Sequence, residues 1–298
     1  MRIFVTGASG WIGSASIAEL LAAGHEIVGL ARSEASAARI EGAGGRAVRG
    51  ALADLDLLAE QAAAADGVLH LGFNHDFSDY AGAGRTERAV VETFGDALAG
   101  SGKPFAFASG VAGFALGRPV TEADASAYRT PDAPRGGVEP LALGFADRGI
   151  RSMALRFAPT VHGAGDHGFT NVLVETAHRH GVAAFIGDGA NRWPAVHRLD
   201  AAKLVALAVE TAPAGTRVHA VAESGVPTRE IAAAIGRSLG VPTVSIDPAD
   251  AAEHFGWLGA LYGADLPASS EATRELLGWA PVHPTLVEDL DGGAYRSA

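Results

Sequence analysis

The stretch VTGASGWIGSASIAELLAAGHEIVGLARS, residues 5–33, decides how this chain folds. Its first three residues end the run RIFVTG at residues 2–7, whose apolar and β-branched residues predict a strand that ends at a glycine. Residues 11–24 then predict a helix that Gly24 ends, and residues 25–31 predict a second strand. A strand, a glycine turn, a helix and a second strand within about thirty residues form a βαβ unit.

Three glycines in this turn, Gly7, Gly10 and Gly13, have the spacing of a phosphate-binding loop. Gly7 allows the tight turn off the strand, Gly10 lets the backbone approach a diphosphate, and Gly13 lets the helix pack closely on the strand. The start of the helix adds free N–H groups and a partial positive charge. We therefore predict a dinucleotide site with contacts from Gly7, Ser9, Gly10, Trp11, Ile12 and Gly13.

The end of the second strand predicts which dinucleotide binds. An acidic residue there would bond the ribose 2′-hydroxyl of NAD. The chain instead has Ala31, Arg32 and Ser33 at this place, and Glu34 comes one residue too late. Arg32 can pair with a 2′-phosphate and Ser33 can donate a hydrogen bond to it, which favours NADP(H), with NAD as the alternative.

Strand and helix patterns continue to alternate along the first half of the chain. Strands are predicted at residues 46–50, 67–73 and 104–110, and helices at residues 54–65 and 84–102. This alternation predicts an α/β fold, a Rossmann-like doubly wound parallel sheet with a smaller C-terminal substrate lobe.

We expect residues 1–160 to form the dinucleotide-binding domain and residues 161–298 the substrate lobe, with part of 195–222 returning to the sheet. Ligands of such sheets bind at the carboxyl ends of the strands. Leu52 is therefore expected near the adenine, and Ser109 at the mouth of the active site. Gly72 and Phe73 are expected beside the nicotinamide ribose.

Composition narrows the class of partner. A formal charge of −11 argues against nucleic acid, whose binding needs clustered lysine and arginine. No apolar run is long enough to span a membrane. The chain has no cysteine, which fits a reducing cytoplasm. We expect a cytoplasmic protein with a small-molecule substrate.

Five stretches resemble landmarks of the extended and atypical short-chain dehydrogenase/reductase superfamily, the group of NAD-dependent epimerases and dehydratases. They occur in the family's order and are TGASGWIG (6–13), HLGF (70–73), ASGVAGF (108–114), LRFAPTVHG (155–163) and VHRLDAA (196–202). The resemblance implies a nicotinamide cofactor, with Pro159 among its contacts. Members of the superfamily pair through the helices that correspond to residues 84–102 and 140–148, which leaves a homodimer open.

The resemblance also implies a Tyr-x-x-x-Lys pair, which this chain lacks. Glu139 and Arg156 have the spacing of the family's landmark glutamate and arginine, so Arg135 falls on the lysine position and Pro131 on the tyrosine position. The other register pairs Arg135 with the tyrosine and Glu139 with the lysine, and neither supplies the pair. Pro140 predicts a helix that starts there, after an irregular segment.

Three other residues are candidates for the missing catalytic groups. Ser109 remains in the loop that carries the family's catalytic serine, His162 replaces the tyrosine of its VYG landmark, and Tyr128 precedes the vacated tyrosine position. Each could instead have only a structural role. Arg135 could bind a ribose or phosphate by its charge, but it cannot donate a proton at neutral pH.

The second half of the chain offers substrate contacts. Arg192 lies one residue from the register of an arginine that binds substrate phosphate in nucleotide-sugar relatives, and Trp193 could form a wall against the substrate or fill the lobe interface. The spacing of His162, Asp166 and His167 matches no metal motif, so no metal is predicted.

The predicted function is an NADP(H)-dependent oxidoreductase that acts on a small carbonyl or alcohol. One alternative is a non-catalytic NADP(H)-binding sensor, since the dyad is missing. A second is a nucleotide-sugar epimerase or dehydratase.

Overall fold

The computed structural model describes residues 1–74, 79–112, 114 and 117–295. In chain order, its strands and α-helices are β1 (Arg2–Thr6), α1 (Trp11–Ala22), β2 (Glu26–Ala31), α2 (Glu34–Gly42), β3 (Arg46–Arg49), α3 (Leu55–Ala64), β4 (Gly67–His70), α4 (Tyr80–Leu98), β5 (Pro104–Gly110), α5 (Val138–Leu143), β6 (Arg151–Phe157), β7 (Thr160–His162), α6 (Phe169–His180), β8 (Ala183–Ile186), β9 (Arg192–His197), α7 (Arg198–Thr211), β10 (Thr216–Ala220), β11 (Glu223–Pro227), α8 (Thr228–Leu239), β12 (Thr243–Ile246), α9 (Ala251–Phe255), α10 (Gly259–Tyr262), α11 (Glu271–Leu277) and α12 (Leu286–Asp291). Short 3₁₀ helices cover Pro134–Gly137, Gly144–Arg148, Pro248–Asp250 and Gly256–Leu258.

Seven parallel strands form the central sheet in the order β10-β6-β5-β4-β1-β2-β3. The strand order reverses between β1 and β4, where open α/β sheets bind their ligands. The predicted Rossmann-like fold is confirmed. β10, from the second half of the chain, pairs with β6 and becomes one edge of this sheet.

Helices cover both faces of the sheet because its strands are apolar on both sides. In β1, the alternating side chains show this directly: Ile3 and Val5 belong to the apolar cluster under α1 and α7, whereas Phe4 belongs to the cluster under α3, α4 and α5. The sheet is thus buried between two layers of helices.

The smaller lobe has its own core. β11, β9 and β7 form a three-stranded sheet, and β12 pairs with β8. Trp193, Tyr262 and side chains of α6, α8 and α12 pack together in this lobe.

Three expectations about helices and strands need adjustment. α5 begins at Val138, two residues before Pro140, which lies in the first turn, where a missing N–H breaks no helical hydrogen bond. The segment before it is a 3₁₀ turn rather than irregular. β4 ends at His70, short of the predicted residue 73.

Within the described residues, no helix is both long and apolar enough to cross a membrane.

Candidate active site

The glycine turn between β1 and α1 is closely packed except on one side. A Cβ on Gly7, whose φ is +70°, would lie 2.7 Å from the Gly72 nitrogen, and a Cβ on Gly13 would lie 2.0 Å from the Gly7 carbonyl oxygen. A Cβ on Gly10 would meet only that same oxygen, at 3.1 Å, among the described atoms within 4 Å. The Cα of Gly10 therefore faces open space beside the helix start.

The helix start offers donors to that space. Gly10 is the extended N-cap of α1 and its N–H donates to Gly7, while the helical ladder begins with the Ser14 N–H donating to the Gly10 carbonyl at 3.0 Å. The N–H groups of Trp11, Ile12 and Gly13 precede that first bond, so they are available to a ligand. Together with the open side at Gly10, these donors fit the diphosphate of a dinucleotide.

A second part of the candidate site lies at the carboxyl ends of β2 and β3. Arg32 is exposed, and Ser33 is the N-cap of α2, where its hydroxyl accepts the Ser36 N–H at 3.2 Å. Sequence reasoning missed Arg49, the last residue of β3, whose guanidinium reaches back to this loop. Leu52 is half-buried against the apolar layer under α3.

Two contacts hold the side chain of Arg135, one of them with Phe73, which follows β4. Its NH2 donates to Oε1 of Glu87 at 2.9 Å, and its guanidinium lies over the Phe73 ring at 4.4 Å from the ring centroid. Among the described non-glycine residues only Arg135 has a positive φ, +54°, a conformation that is disfavoured and clusters at functional sites. Arg135 is therefore a cation held in a fixed place.

Glu87 belongs to a buried chain of polar groups that sequence reasoning missed. Its carboxylate is 1% exposed and lies 3.3 Å from Nε2 of His70, whose Nδ1 is 2.6 Å from the Thr6 hydroxyl. That hydroxyl oxygen accepts the Gly72 N–H at 3.1 Å. Burial raises the pKa of Glu87, but the charges of His70 and Arg135 outweigh it and hold the pKa below its ordinary value.

Ser109 lies at the carboxyl end of β5, but its proton is already used. Its hydroxyl donates to Oε2 of Glu139 at 2.7 Å. Burial raises the pKa of Glu139, yet hydrogen bonds and charge from Arg156, Ser109 and Arg217 hold it below the ordinary value. With its proton in the hydrogen bond to Glu139, Ser109 can still accept a hydrogen bond from a ligand.

Tyr128 lies on the loop before the 3₁₀ turn at Pro134–Gly137. Its side chain is partly exposed, and its hydroxyl has no hydrogen bond to the described residues. A Cβ on Gly137 would lie 2.7 Å from the Arg129 carbonyl carbon and 2.8 Å from the Thr130 oxygen. The chain just after Tyr128 is thus packed against the segment that carries Arg135.

His162 does not face the cleft. It is fully buried, and its Nδ1 pairs with Asp289 of α12 at 2.6 Å, while its ring contacts His197 edge-on at 5.5 Å. A side chain with no accessible surface cannot reach a substrate, so the expected catalytic role of His162 is wrong. Pro159, in the short connection between β6 and β7, is half-buried.

The two expected substrate contacts are also placed differently. Trp193 is fully buried in the small-lobe core, where its indole N–H donates to the Leu261 carbonyl at 3.3 Å. It therefore fills the lobe and forms no wall to a substrate. Arg192 is bound through both its Nε and NH2 to the carboxylate of Asp265, at 3.0 and 2.8 Å.

One group of residues has the composition of a metal site. The ligand atoms of His197, Asp200 and His283 lie within 4.8 Å of one another. However, the two imidazoles stack with 9° between their planes, so lone pairs lying in the ring planes cannot both point at one ion. Asp200 instead accepts the N–H groups of Val282 and His283, each at 3.0 Å. These contacts fasten the C-terminal segment to α7.

Comparison with known proteins agrees with this geometry. A sequence model described as the NAD dependent epimerase/dehydratase family matches residues 3–136. An uncharacterized Schizosaccharomyces pombe protein is 47% identical over 99% of this chain and 100% of its own length. The chain belongs to the NAD-dependent epimerase/dehydratase family. An uncharacterized Saccharomyces cerevisiae protein is 40% identical, over 97% of this chain and 98% of its own.

Solved structures of the family share the fold. The dTDP-glucose 4,6-dehydratase DesIV from Streptomyces venezuelae, with NAD and TYD bound, aligns with a TM-score of 0.79 at 21% identity, over 99% of this chain and 97% of that one. A UDP-glucose-4-epimerase from Stenotrophomonas maltophila, with bound NAD, aligns with a TM-score of 0.78 at 19% identity over the same shares. Membership of the family supports a nicotinamide dinucleotide as the cofactor of the glycine turn.

Proposed function

We propose that this chain is an NADP(H)-dependent oxidoreductase that reduces a small carbonyl or oxidises the corresponding alcohol. The observation that carries the proposal is a diphosphate cradle at Gly7, Gly10 and Gly13, on the same sheet edge as Ser109 and the fixed cation Arg135. The cofactor, when bound, would supply or accept hydride at nicotinamide C4. The residues of the chain must then orient the substrate and handle the proton.

Arg135 is suited to bind the nicotinamide ribose. In one of the two registers it takes the position of the family's lysine, and Glu87 and Phe73 hold its guanidinium in one orientation. A guanidinium keeps its charge at all accessible pH values, so it can hold a hydroxyl but cannot deliver a proton.

Tyr128 is the remaining candidate for proton transfer. His162 is buried away from the cleft and the proton of Ser109 is committed to Glu139, whereas the hydroxyl of Tyr128 is accessible and its loop packs on the Arg135 segment. In this proposal Tyr128 donates a proton to the carbonyl oxygen as hydride reaches the carbonyl carbon, and the Ser109 oxygen accepts a hydrogen bond from the hydroxyl of the resulting alcohol.

The preference for NADP(H) over NAD rests on the end of β2. Arg32 and Ser33 stand where an NAD-binding protein would have an acid, and the start of α2 adds a partial positive charge. A 2′-phosphate meets cationic and hydroxyl groups here, while a ribose hydroxyl lacks its usual carboxylate.

Binding and turnover test the proposal separately. We expect NADPH to bind with a Kd in about the micromolar range, measured by calorimetry, and to be oxidised by members of a panel of small aldehydes and ketones. Tyr128→Phe should lower kcat by about 100-fold or more and leave the Kd of NADPH unchanged. Arg129→Met, on the same loop and exposed, is the matched control and should change neither.

A non-catalytic sensor is the second candidate, because the Tyr-x-x-x-Lys pair is absent and the Ser109 hydroxyl is occupied. A redox sensor must distinguish NADP⁺ from NADPH by affinity, so tight binding with unequal Kd values and no turnover would favour it. A nucleotide-sugar substrate has less support, because the Tyr-x-x-x-Lys pair is absent and two hydrogen bonds join the side chains of Arg192 and Asp265.

A further inference from the structure

Arg49 and Glu34 lie beside the loop that follows β2, and of the two only Arg49 was not expected there from the sequence. Arg49 is the last residue of β3 and pairs in register with Ala31, the last residue of β2. Its NH2 donates to the main-chain oxygen of Arg32 at 3.3 Å, and its NH1 donates to the carboxylate of Glu34. The guanidinium of Arg49 therefore lies against the same loop that carries Arg32 and Ser33.

The ion pair between Arg49 and Glu34 is easily exchanged. The Arg49 side chain is 48% exposed and that of Glu34 is 92% exposed. Pairs this open to water contribute little, because solvent screens the charges and both side chains lose freedom. A phosphate dianion offers a guanidinium two parallel hydrogen bonds and twice the charge of a carboxylate, so it competes well for Arg49.

The geometry points to Arg49 as the second cation for the 2′-phosphate of NADP(H), with Glu34 as a competing anion that the phosphate displaces. This assignment rests on the proposed cofactor function. Arg32 supplies the other cation, since its guanidinium has no partner among the described residues. Glu34 then sets the strength of the preference, because it both occupies Arg49 and adds negative charge next to the phosphate.

Sequence reasoning could place Arg32 and Ser33 at this site because they directly follow β2. Arg49 is reached only through the parallel register of β2 and β3, which sets its Cα beside that of Ala31. In the same register Arg46, at the start of β3, lies beside Val28, towards the amino ends of the strands. Arg46 is therefore a cation of the same kind on the same strand, but at the wrong end for a cofactor.

The test measures the Kd of NADPH and of NADH for four proteins: wild type, Arg49→Met, Glu34→Gln and the control Arg46→Met. Arg49→Met should raise the Kd of NADPH by about 10- to 100-fold, which is the usual effect of losing a hydrogen-bonded charge pair. The Kd of NADH should stay within about 2-fold of the wild-type value. Glu34→Gln should lower the Kd of NADPH by about 2- to 5-fold and leave the Kd of NADH unchanged. Arg46→Met should change neither. Rising salt should reduce the NADPH preference of the wild type.

The outcomes separate the two proposals. If the wild type binds neither dinucleotide, the cofactor function itself is wrong. If it binds both and Arg49→Met has no more effect on NADPH than Arg46→Met, the cofactor function stands and the role of Arg49 is wrong. Weaker NADH binding by Glu34→Gln would also overturn the assignment, because Glu34 would then bond the ribose hydroxyls. Thermal unfolding of each variant confirms that the exposed replacements leave the fold intact.

Discussion

Replacing Arg156 by methionine should destabilise the protein strongly, because this arginine organises the floor of the candidate site. Arg156 is fully buried, and its Nε donates to Oε2 of Glu139 at 3.0 Å. Its NH2 donates to the Asp124 carbonyl at 2.7 Å, on the loop that leads to Tyr128. Methionine would fill much of the volume but would leave the Glu139 carboxylate, 5% exposed, without its main partner.

The size of the effect follows from what remains around Glu139. Removing one member of a buried pair costs about 3–5 kcal/mol, since the other charge is left unpaired. Arg217, with its Nε 3.3 Å from Oε1 of Glu139, still compensates part of this charge. We therefore expect the lower end, about 3 kcal/mol. At about 2–4 °C per kcal/mol for a chain of this size, the melting temperature should fall by about 6–12 °C.

Urea unfolding of four variants provides the assay: Arg156→Met, Glu139→Gln, the double variant of the two, and a control. Arg156→Met with Glu139→Gln in the same chain should recover part of the loss, because the double variant buries no unpaired charge. Arg237→Met is the control: it breaks an exposed pair with Asp291, with both bonds at 2.9 Å, and should cost at most about 1 kcal/mol. A loss below about 1 kcal/mol for Arg156→Met, or a double variant that simply sums the two single effects, would refute the reasoning.

Three further predictions concern pH, the glycine turn and proton transfer. The pKa of Glu139 is held below its ordinary value of 4.5, so its contribution to stability is complete above pH 4.5 and is lost as pH falls through the lowered pKa. In urea unfolding, the stability of Glu139→Gln should therefore decline less under acid conditions than that of the wild type. Gly10→Ala should keep the wild-type melting temperature but lose dinucleotide affinity in calorimetry, whereas Gly13→Ala, with its Cβ 2.0 Å from the Gly7 oxygen, should lose both. Under the proposed function, the kcat of Tyr128→Phe should show no recovery when the pH is lowered, and full recovery would exclude Tyr128 as the donor.

The sheet could be predicted from the sequence because its signals are local. Most of its strands contain a short apolar run, and the turn at Gly7 combines a strand end, a glycine spacing and a helix start within a few residues. The return of β10 to the sheet is harder to derive, since its five residues, TRVHA, include both arginine and histidine. Its place depends on pairing with β6, which a single sequence does not show.

The polar partners of the site could not be predicted, because they are far apart in sequence. Arg135 and Glu87 are 48 residues apart, and no local pattern links a helix residue to a cation in a later turn. The position of His162 and Trp193 in the sequence was also insufficient to predict where their side chains lie. Register identifies which strand a residue belongs to, but whether its side chain faces the cleft or the lobe core depends on what packs against it, here Asp289 and Leu261.

The Arg135–Glu87 pair has a consequence for the direction of the proposed reaction. In relatives with the Tyr-x-x-x-Lys pair, the lysine is expected to promote ionisation of the tyrosine by its positive charge. Here the guanidinium is paired with a carboxylate 2.9 Å away and 1% exposed, so the two charges largely cancel at any neighbouring group. A donor beside this pair receives little help in releasing its proton. Carbonyl reduction, which consumes a proton, should therefore exceed alcohol oxidation near neutral pH, and Glu87→Gln, which leaves the charge of Arg135 uncompensated, should shift the ratio of the two rates towards oxidation.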